Sequence, residues 1–520
     1  MRIVTTAEMR ELDRRTIEEQ GTPGDVLMDR AGQGVADVVA YLAGFAGRSR
    51  PTVHLYAGRG NNGGDVFAAA RILAEEEMEV EVWLAGSRGD VRGDALLHMS
   101  KMKDAGVPLV EVPTQDEWAT LSPQVAADVV VDGILGTGVK GPARGPAAGA
   151  IQYVNSLAAR SPVVAIDIPS GLNADTGEPM GDTVVADVTV TMGYAKRGLV
   201  AQPAVEYVGR VHVVDIGIPP DFAARLPCDR ELITAEDLRS LFGPRKRMSH
   251  KGSYGRLLIV GGSTLYPGAV TLAARAAVRS GVGLVTVAVP RTLFSAVAGA
   301  VPEAMVQPVR ESPAGGVAAD FDEHWANGFD DFGTILMGPG MMATDDTRAI
   351  VGDALGRYTG NLVLDADALN VMAGSAEKIA GAGAQVVLTP HPGEMGRLLG
   401  RDTRAVQTDR WQAVQDAVGM TGATVVLKGS GTIVARPDHP PRINLTGNPG
   451  MACGGMGDVL AGLIAGLWAS GLGPLDAASA GAYLHGAAGD HAAWSTSQAG
   501  LSASDVARDL PMAFREITLR

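Results

Sequence analysis

Cysteine is nearly absent: the 520 residues contain two, Cys228 and Cys453, far apart and outside any CxxC spacing. That excludes a disulfide framework and a cysteine zinc site, and it suits a reducing compartment. Positive charge is in deficit, with 44 Lys and Arg against 58 Asp and Glu and a net charge of −14. A broad electrostatic footprint on nucleic acid or on an anionic membrane is thereby excluded, and a phosphate-bearing ligand has to be held by local devices. No apolar run has the length of a membrane span; the longest, Val459 to Gly473, is rich in Gly and Ala and predicts a buried helix. The opening MRIVTTAEMRELDRR lacks the apolar core of a secretory signal, so the expected location is the cytoplasm. The P-loop pattern GxxxxGK[ST] does not occur. Short-period repeats and low-complexity blocks are missing too, the 68 Gly and 29 Pro being spread along the chain.

What is present is length and apolar content, 520 residues at 46% hydrophobic, enough for two large domains. After an opening helix over Thr6 to Gln20, short β-branched runs alternate with Ala-rich helical stretches. Strands are predicted at Val53–Ala57, Val80–Leu84, Val129–Asp132, Val163–Ile166, Val188–Met192 and Val211–Val214. Their near-continuous apolar character indicates a parallel sheet buried on both faces. The rhythm breaks between Gly217 and about Lys251, where a short helix near Ala235 to Leu241 precedes the basic GPRKRMSHKG. Strands resume at Leu257–Val260, Leu284–Val289, Thr334–Met337, Leu362–Leu364, Val386–Leu388 and Thr424–Leu427. The expected architecture is α/β throughout: an N-terminal Rossmann-like three-layer domain over 1–222 and a second layered domain over 228–520.

Three strand ends of the first half carry polar or glycine-rich turns: AGRGNNGGD, VDGILGTGVKGP and AIDIPSGL. In an open parallel sheet, ligands sit at the carboxyl ends of strands, so these turns are expected to converge on one crevice. Gly60, Gly63 and Gly64 would let backbone approach a ligand, and the helix following Asp65 would offer free N–H groups to a phosphate. Asn62, Asp132 and Ser170 supply only oxygen atoms, as a hard cation requires, and a single carboxylate suits a monovalent ion. Asp167, at a strand end, is the candidate acid/base group; the plainer reading makes it a helix cap. The second half carries SHKGSYGRLLIVGGS, MGPGM, LDADALN, LTPHPGEM, VLKGSGTIVA and NPGMACGGMGDVLAG. In GGMGD a Gly-rich turn, an Asp and a buried helix would place backbone N–H groups, a helix dipole and a carboxylate at a reacting phosphate. The plainer reading of His391 is a turn residue satisfying local backbone, and that of Lys428 a solvated sheet edge.

In order, over Met1 to about Gly217, TTAEMRELD, DVLMDRAG, GRGNNGGD, VDGILGTGVKGP and IDIPSGLNADTG resemble the NAD(P)H-hydrate epimerase domain. The resemblance implies hydrate binding by Asn61, Asn62, Gly63, Gly64 and Asp65, by Gly136, Thr137, Gly138, Val139, Lys140, Gly141 and Pro142, and by Asp167. It also implies potassium (K+) on Asn62, Asp132 and Ser170. Tyr194 to Arg197 match as well, with no role attached. From about Leu232 to Leu519 the motifs resemble the ribokinase-like superfamily and, through HKGSYG, LTPHPGE and NPGMACGGMGDVLAG, the NAD(P)H-hydrate dehydratases. Here the resemblance implies that Ala269, Gly340, His391 and Asp458 line the hydrate. Lys428, Gly429, Ser430, Gly431, Thr432 and Gly457 would hold the adenine nucleotide, with Asp458 as general base and magnesium (Mg2+) on the phosphates. Cys453 departs from the Thr or Ser expected in that loop. Lys251 and Glu394 are possible phosphate and metal-water partners.

Both halves then serve one task, the return of hydrated reduced nicotinamide cofactors, NADHX and NADPHX, to their active form. Fusion in one chain resembles the bacterial arrangement, which implies ADP as the phosphoryl donor. The expected partners are these small molecules and a second copy of the chain, a homo-oligomer, without nucleic acid or membrane. Two other readings compete: a small-molecule kinase in the second half, distinguished by accumulation of a phosphorylated product, and a binding module built on the first fold, distinguished by failure to bind nicotinamide nucleotides.

Overall fold

The computed structural model describes residues 1–121, 127–321 and 328–518. It divides into two compact units, Arg2–Cys228 and Asp229–Arg520, with Met1 grouped with the second.

The first unit opens on the helix Thr6–Glu18, two residues shorter than the apolar spacing predicts at its C-terminal end. A capping box of Thr5 and Glu8 starts it. Asp175 accepts the Thr6 N–H and hydroxyl at 2.7 Å each, which ties this helix to the turn after the IDIPSG stretch. Seven strands follow: β1 (Thr52–Ala57), β2 (Glu79–Leu84), β3 (Leu109–Glu111), β4 (Val129–Gly133), β5 (Val163–Ile166), β6 (Val188–Met192) and β7 (Arg210–Val214). They form one parallel sheet in the order β3-β2-β1-β4-β5-β6-β7. The order in which the strands are added reverses between β1 and β4, so the crevice at their carboxyl ends is the ligand position of a doubly wound sheet. Strands β4 and β5 are buried at every residue, as their unbroken apolar runs require. The expected strands all form; β3, only three residues long, carries too little pattern to be read from sequence.

The described residues of the second unit form ten strands: β8 (Glu231–Leu232), β9 (Arg256–Val260), β10 (Leu284–Pro290), β11 (Met305–Val309), β12 (Thr334–Met337), β13 (Asn361–Leu364), β14 (Gln385–Leu388), β15 (Thr424–Leu427), β16 (Thr432–Ala435) and β17 (Arg442–Asn444). Their order is β11-β10-β9-β12-β13-β14-β15-β16-β17-β8. The strands from β11 to β15 are parallel, and the β15-β16-β17 edge is antiparallel. Four strands escape the sequence reading. β11 contains Pro308 and lies at the sheet edge, where a missing N–H is tolerated, while β8, β16 and β17 have two to four residues. The apolar run expected as one helix over Val459–Gly473 instead begins earlier and ends earlier, as Met456–Ala469. Its glycines serve helix packing: a Cβ on Gly462 would lie 2.0 Å from the Ala273 carbonyl oxygen of the helix Pro267–Arg279. Ridge-to-groove contact this close is available only to a residue without a side chain.

Candidate active sites

In the first unit, the turns after β1, β4 and β5 meet. Asn61 to Asp65 are the first turn of the helix Asn61–Glu75, whose leading N–H groups lack helical partners. Gly58, Gly60 and Gly63 have the GxGxxG spacing between a strand and a helix. Only Gly60 stands clear of other atoms. A Cβ on Gly63 would lie 1.9 Å from the Gly58 carbonyl oxygen, and one on Gly64 would lie 2.5 Å from Met28 Sδ. Close packing of the turn therefore requires glycine at 63 and 64.

Asp132, at the end of β4, is fully buried. Its Oδ1 accepts from the Ser170 hydroxyl at 2.6 Å and the Ile134 N–H at 3.2 Å, and its Oδ2 accepts the Ser170 N–H at 2.8 Å. Ser170 Oγ in turn accepts the Leu135 N–H at 2.8 Å. Asn62 joins through its amide nitrogen, which donates to the carbonyls of Leu135 (3.0 Å) and Ile166 (3.2 Å). Burial pushes the Asp132 carboxyl up to about 6 against the pull of these hydrogen bonds, and among the described residues no positive side chain offsets it. The described residues contain no group of three or more His, Cys, Asp or Glu able to hold a metal. A cation here has to rest on one carboxylate with hydroxyl and carbonyl oxygens, a donor set that fits a monovalent ion and leaves zinc without its usual ligands.

Asp167 is not a helix cap. It sits at φ +65°, and its Oδ1 receives the Lys196 ammonium at 2.5 Å and the Thr191 hydroxyl at 3.3 Å. Asp65 and Asp13 share this electrostatic neighbourhood. Burial raises both carboxyls, Asp13 to about 6 and Asp65 well above the ordinary range; the Asp167 charge adds to the rise, and Lys196 opposes it. Asp13, on the opening helix, was not legible as a site residue because its spacing marks only an exposed helix face. Of the loop Gly136 to Pro142, Gly136 packs on Asn62, with a Cβ contact of 3.2 Å, while Gly138, Lys140 and Pro142 are exposed.

In the second unit the functional turns follow β12, β13, β14 and β15. Lys428, at the end of β15, donates to Asp365 Oδ1 at 2.7 Å and lies 3.6 Å from Glu394 Oε2. Both carboxylates are buried. Thr389 Oγ1 donates to the same Asp365 oxygen at 2.8 Å, and Glu394 Oε2 accepts the His391 N–H at 2.8 Å. Lys428 is thus an internal ion-pair residue, not a solvated sheet edge. The three charges reach Asp458, in the first turn of the helix Met456–Ala469. Burial first, then Asp365, Glu394 and Asp367, push its carboxyl up to about 7 despite Lys428. Gly455 caps that helix at φ +91°, a conformation that favours glycine, and a Cβ on Gly457 would lie 3.1 Å from Lys428 Nζ, so the turn meets the lysine at Gly457.

His391 does what its plainer reading says: Nδ1 accepts the N–H groups of Gly393 (3.0 Å) and Glu394 (3.4 Å), capping the helix Pro392–Leu399. Half of its side chain, 51%, stays exposed. Ala269 and Gly340 come together, a Gly340 Cβ lying 3.2 Å from Ala269 Cβ and 2.6 Å from the Tyr266 carbonyl oxygen. Asp367 holds the adjoining GPGM turn through the Met342 N–H at 2.8 Å. Lys251 is exposed, and Cys453 is exposed with its thiol 3.5 Å from the Leu501 carbonyl oxygen.

Arg410 escaped the sequence reading. It is 3% exposed, and its guanidinium underlies the KGSGT loop. Nη2 donates to the carbonyls of Leu427 (3.2 Å), Lys428 (3.3 Å) and Gly431 (3.1 Å), and Nη1 to Gln407 Oε1 at 2.9 Å. Burial alone lowers it to about 10. Its signal in the sequence is a single Arg at a helix start, indistinguishable from a surface residue. His485 is likewise buried, its Nε2 without a hydrogen-bond partner among the described residues.

The chain is thus an α/β enzyme of two units, one with a buried acid and lysine cluster at a doubly wound switch point, the other with a lysine-paired glycine loop facing a helix-borne aspartate. The family model described as NAD(P)H-hydrate dehydratase matches residues 257–512, and that described as YjeF-related protein N-terminus matches residues 24–198. The chain is 41% identical over 519 residues to the bifunctional NAD(P)H-hydrate repair enzyme Nnr of Moorella thermoacetica, covering 99% of this chain and 97% of that protein. To the enzyme of the same name from Thermofilum pendens it is 35% identical over 518 residues, with 99% and 97% covered. The crystal structure of ADP/ATP-dependent NAD(P)H-hydrate dehydratase from Bacillus subtilis aligns at a TM-score of 0.49 and 30% identity, covering 55% of this chain and 98% of that one. This chain belongs to the family of bifunctional NAD(P)H-hydrate repair enzymes.

Proposed function

We propose that the first unit interconverts the R and S hydrates of NADH and NADPH and that the second dehydrates the S form, with ADP giving AMP and phosphate. The observation that carries the second activity is Asp458: a carboxyl pushed up to about 7, on a helix N-terminus and beside a lysine held between two buried carboxylates. A base of that strength suits removal of the hydrate's hydroxyl proton near neutrality. As that proton goes to Asp458, the hydroxyl oxygen bonds to the terminal phosphorus and the bond from that phosphorus to AMP breaks. The phosphate ester leaves far more readily than hydroxide. Its C–O bond breaks as the ring nitrogen's lone pair forms a C=N bond, and loss of the neighbouring ring proton restores the dihydronicotinamide.

Lys428, Gly429, Ser430, Gly431, Thr432 and Gly457 hold the nucleotide in this reading, and Ala269, Gly340, His391 and Asp458 line the hydrate. Magnesium, when bound with the nucleotide, neutralises phosphate charge. Use of ADP over ATP is supported by the fusion of both units in one chain. One more phosphate would displace the reacting phosphorus by several bond lengths, and a misplacement of about 1 Å already costs about a hundredfold in rate.

In the first unit, hydroxide leaves the ring carbon with help from the adjacent nitrogen, takes a proton from Asp167 and returns as water on either face, the proton going back to Asp167. Asn61 to Asp65 and Gly136 to Pro142 bind the hydrate. Potassium, held by Asn62, Asp132 and Ser170, supplies the positive charge that the buried Asp132 lacks. Residence in the cytoplasm, where reduced cofactor is formed and damaged, and assembly as a homo-oligomer complete the proposal; fractionation and light scattering test them.

The deciding experiment incubates mixed epimers with ADP, ATP or neither, and follows both epimers, cofactor and phosphate by chromatography. Interconversion without nucleotide and cofactor recovery with ADP are expected. Accumulation of a phosphorylated hydrate would make the second unit a kinase, and a clear preference for ATP would overturn the donor.

A further inference from the structure

The first unit contains a lysine for which the proposed reaction has so far no use. Lys196 is 1% exposed. Its ammonium meets Asp167 Oδ1 at 2.5 Å, the Met192 carbonyl at 2.8 Å and Thr191 Oγ1 at 3.0 Å. An ammonium has three N–H donors, so each is committed and none remains for a ligand. The flanking backbone is clamped as well: the Val4 N–H donates to the Ala195 carbonyl at 3.0 Å, and the Arg197 N–H to the Val4 carbonyl at 2.8 Å.

Asp167, for its part, adopts φ +65°, a left-handed conformation that a non-glycine residue keeps where surrounding structure over-determines it. All of its side-chain hydrogen bonds among the described residues fall on Oδ1. The same ammonium acts electrostatically on Asp13 from the helix Thr6–Glu18 and on Asp65 from the helix Asn61–Glu75, but of these three carboxylates its ion pair among the described residues is with Asp167.

We infer that Lys196 is the positioning residue of the first site: it occupies Oδ1 of Asp167, fixes the rotation of that carboxyl and leaves Oδ2 as the single atom that moves a proton to and from the hydrate oxygen. The inference rests on the epimerase reading of the site. A lysine this deeply placed, with its donors spent on one carboxylate and two neutral acceptors, does not bind substrate phosphate. Its whole effect on the reaction passes through Asp167. Oxygen Oδ2 then faces one oxygen at a time, giving a proton to the departing hydroxide and taking one from the returning water, which is what interconversion at one carbon demands.

The test uses the full chain and compares Lys196→Met, Lys196→Arg, Asp167→Asn and the double variant Asp167→Asn/Lys196→Met in epimerisation, with dehydration of the purified S form as the control for folding. Lys196→Met is expected to lower kcat for epimerisation about a hundredfold, the scale of a misplaced acid/base group, with KM unchanged. Lys196→Arg, which keeps a cation at Oδ1, recovers part of the loss. The double variant is no slower than Asp167→Asn alone, as expected of residues that act as a unit. Parent-like turnover in a folded Lys196→Met, or a double variant slower than Asp167→Asn, overturns the inference. Should Lys196→Met not fold, Thr191→Val removes one of the ammonium's acceptors and carries the same test, an unchanged kcat for epimerisation overturning it. An Asp167→Asn variant that still interconverts the epimers rapidly overturns the reading of the site instead.

Discussion

Lys428 donates a 2.7 Å hydrogen bond to Asp365, a fully buried carboxylate 63 residues earlier in the chain. The two sit at the ends of β15 and β13, with β14 between them. Glu394, from the turn after β14, completes the arrangement from 3.6 Å. Breaking a buried pair leaves an uncompensated charge and typically costs about 3–5 kcal/mol. Asp365→Ala is therefore expected to lower the stability of the second unit by that order and to raise KM for the nucleotide, because Lys428 loses the partner that aims it. Denaturant melts, monitored with and without nucleotide, check this; a melt unchanged from the parent would show the pair to be dispensable.

The Asp458 carboxyl, pushed up to about 7, gives the dehydratase a pH dependence of definite sign. A general base works ionised, so kcat/KM for dehydration falls as pH drops through about 7 and levels off above it. Asp458→Ala abolishes dehydration at every pH while epimerisation continues. Equal loss of both activities in a folded variant contradicts the division of labour between the units.

Arg410 holds the carbonyls of Leu427, Lys428 and Gly431 from beneath the loop. Arg410→Met is expected to loosen the KGSGT turn. KM for the nucleotide rises about tenfold or more, on the scale of losing one or two charged hydrogen bonds, while epimerisation is untouched. Calorimetric titration with ADP reads the affinity directly, and undiminished binding means that the loop holds its shape without the guanidinium.

In the first unit, Asp132→Ala leaves the N–H groups of Ser170 and Ile134 without their acceptor. Each unsatisfied buried donor costs about 1–3 kcal/mol, so the thermal midpoint drops. Epimerisation in the variant stops responding to replacement of choline by potassium. A potassium response equal to the parent's removes Asp132 from the cation site.

Much of the architecture was legible because both sheets are built from strands whose two faces are buried. A buried parallel strand has to be apolar at nearly every residue, as β4, β5 and β12 are, and such runs stand out between Ala-rich helices. The turns NNGGD, IDIPSG, KGSG and GGMGD were legible for the complementary reason: polar and glycine-rich residues at strand ends have no place in the core. What escaped was short or edge-bound, such as β3 and β11, where two or three residues or a proline leave no period to read.

By itself the sequence determined the α/β class, the order of strands and helices along the chain, and the turns that carry chemistry, since each is a local consequence of side-chain polarity and backbone permissiveness. Tertiary structure alone decided which strands are neighbours, setting β1 beside β4 and β9 beside β12. It alone joined Lys196 to Asp167, Lys428 to Asp365 and Arg410 to the carbonyls of its loop. A lysine or arginine looks the same in sequence whether it faces water or spends its donors on buried oxygens. Only the packing that removes water from around it, and brings in acceptors from distant strand ends, makes the difference.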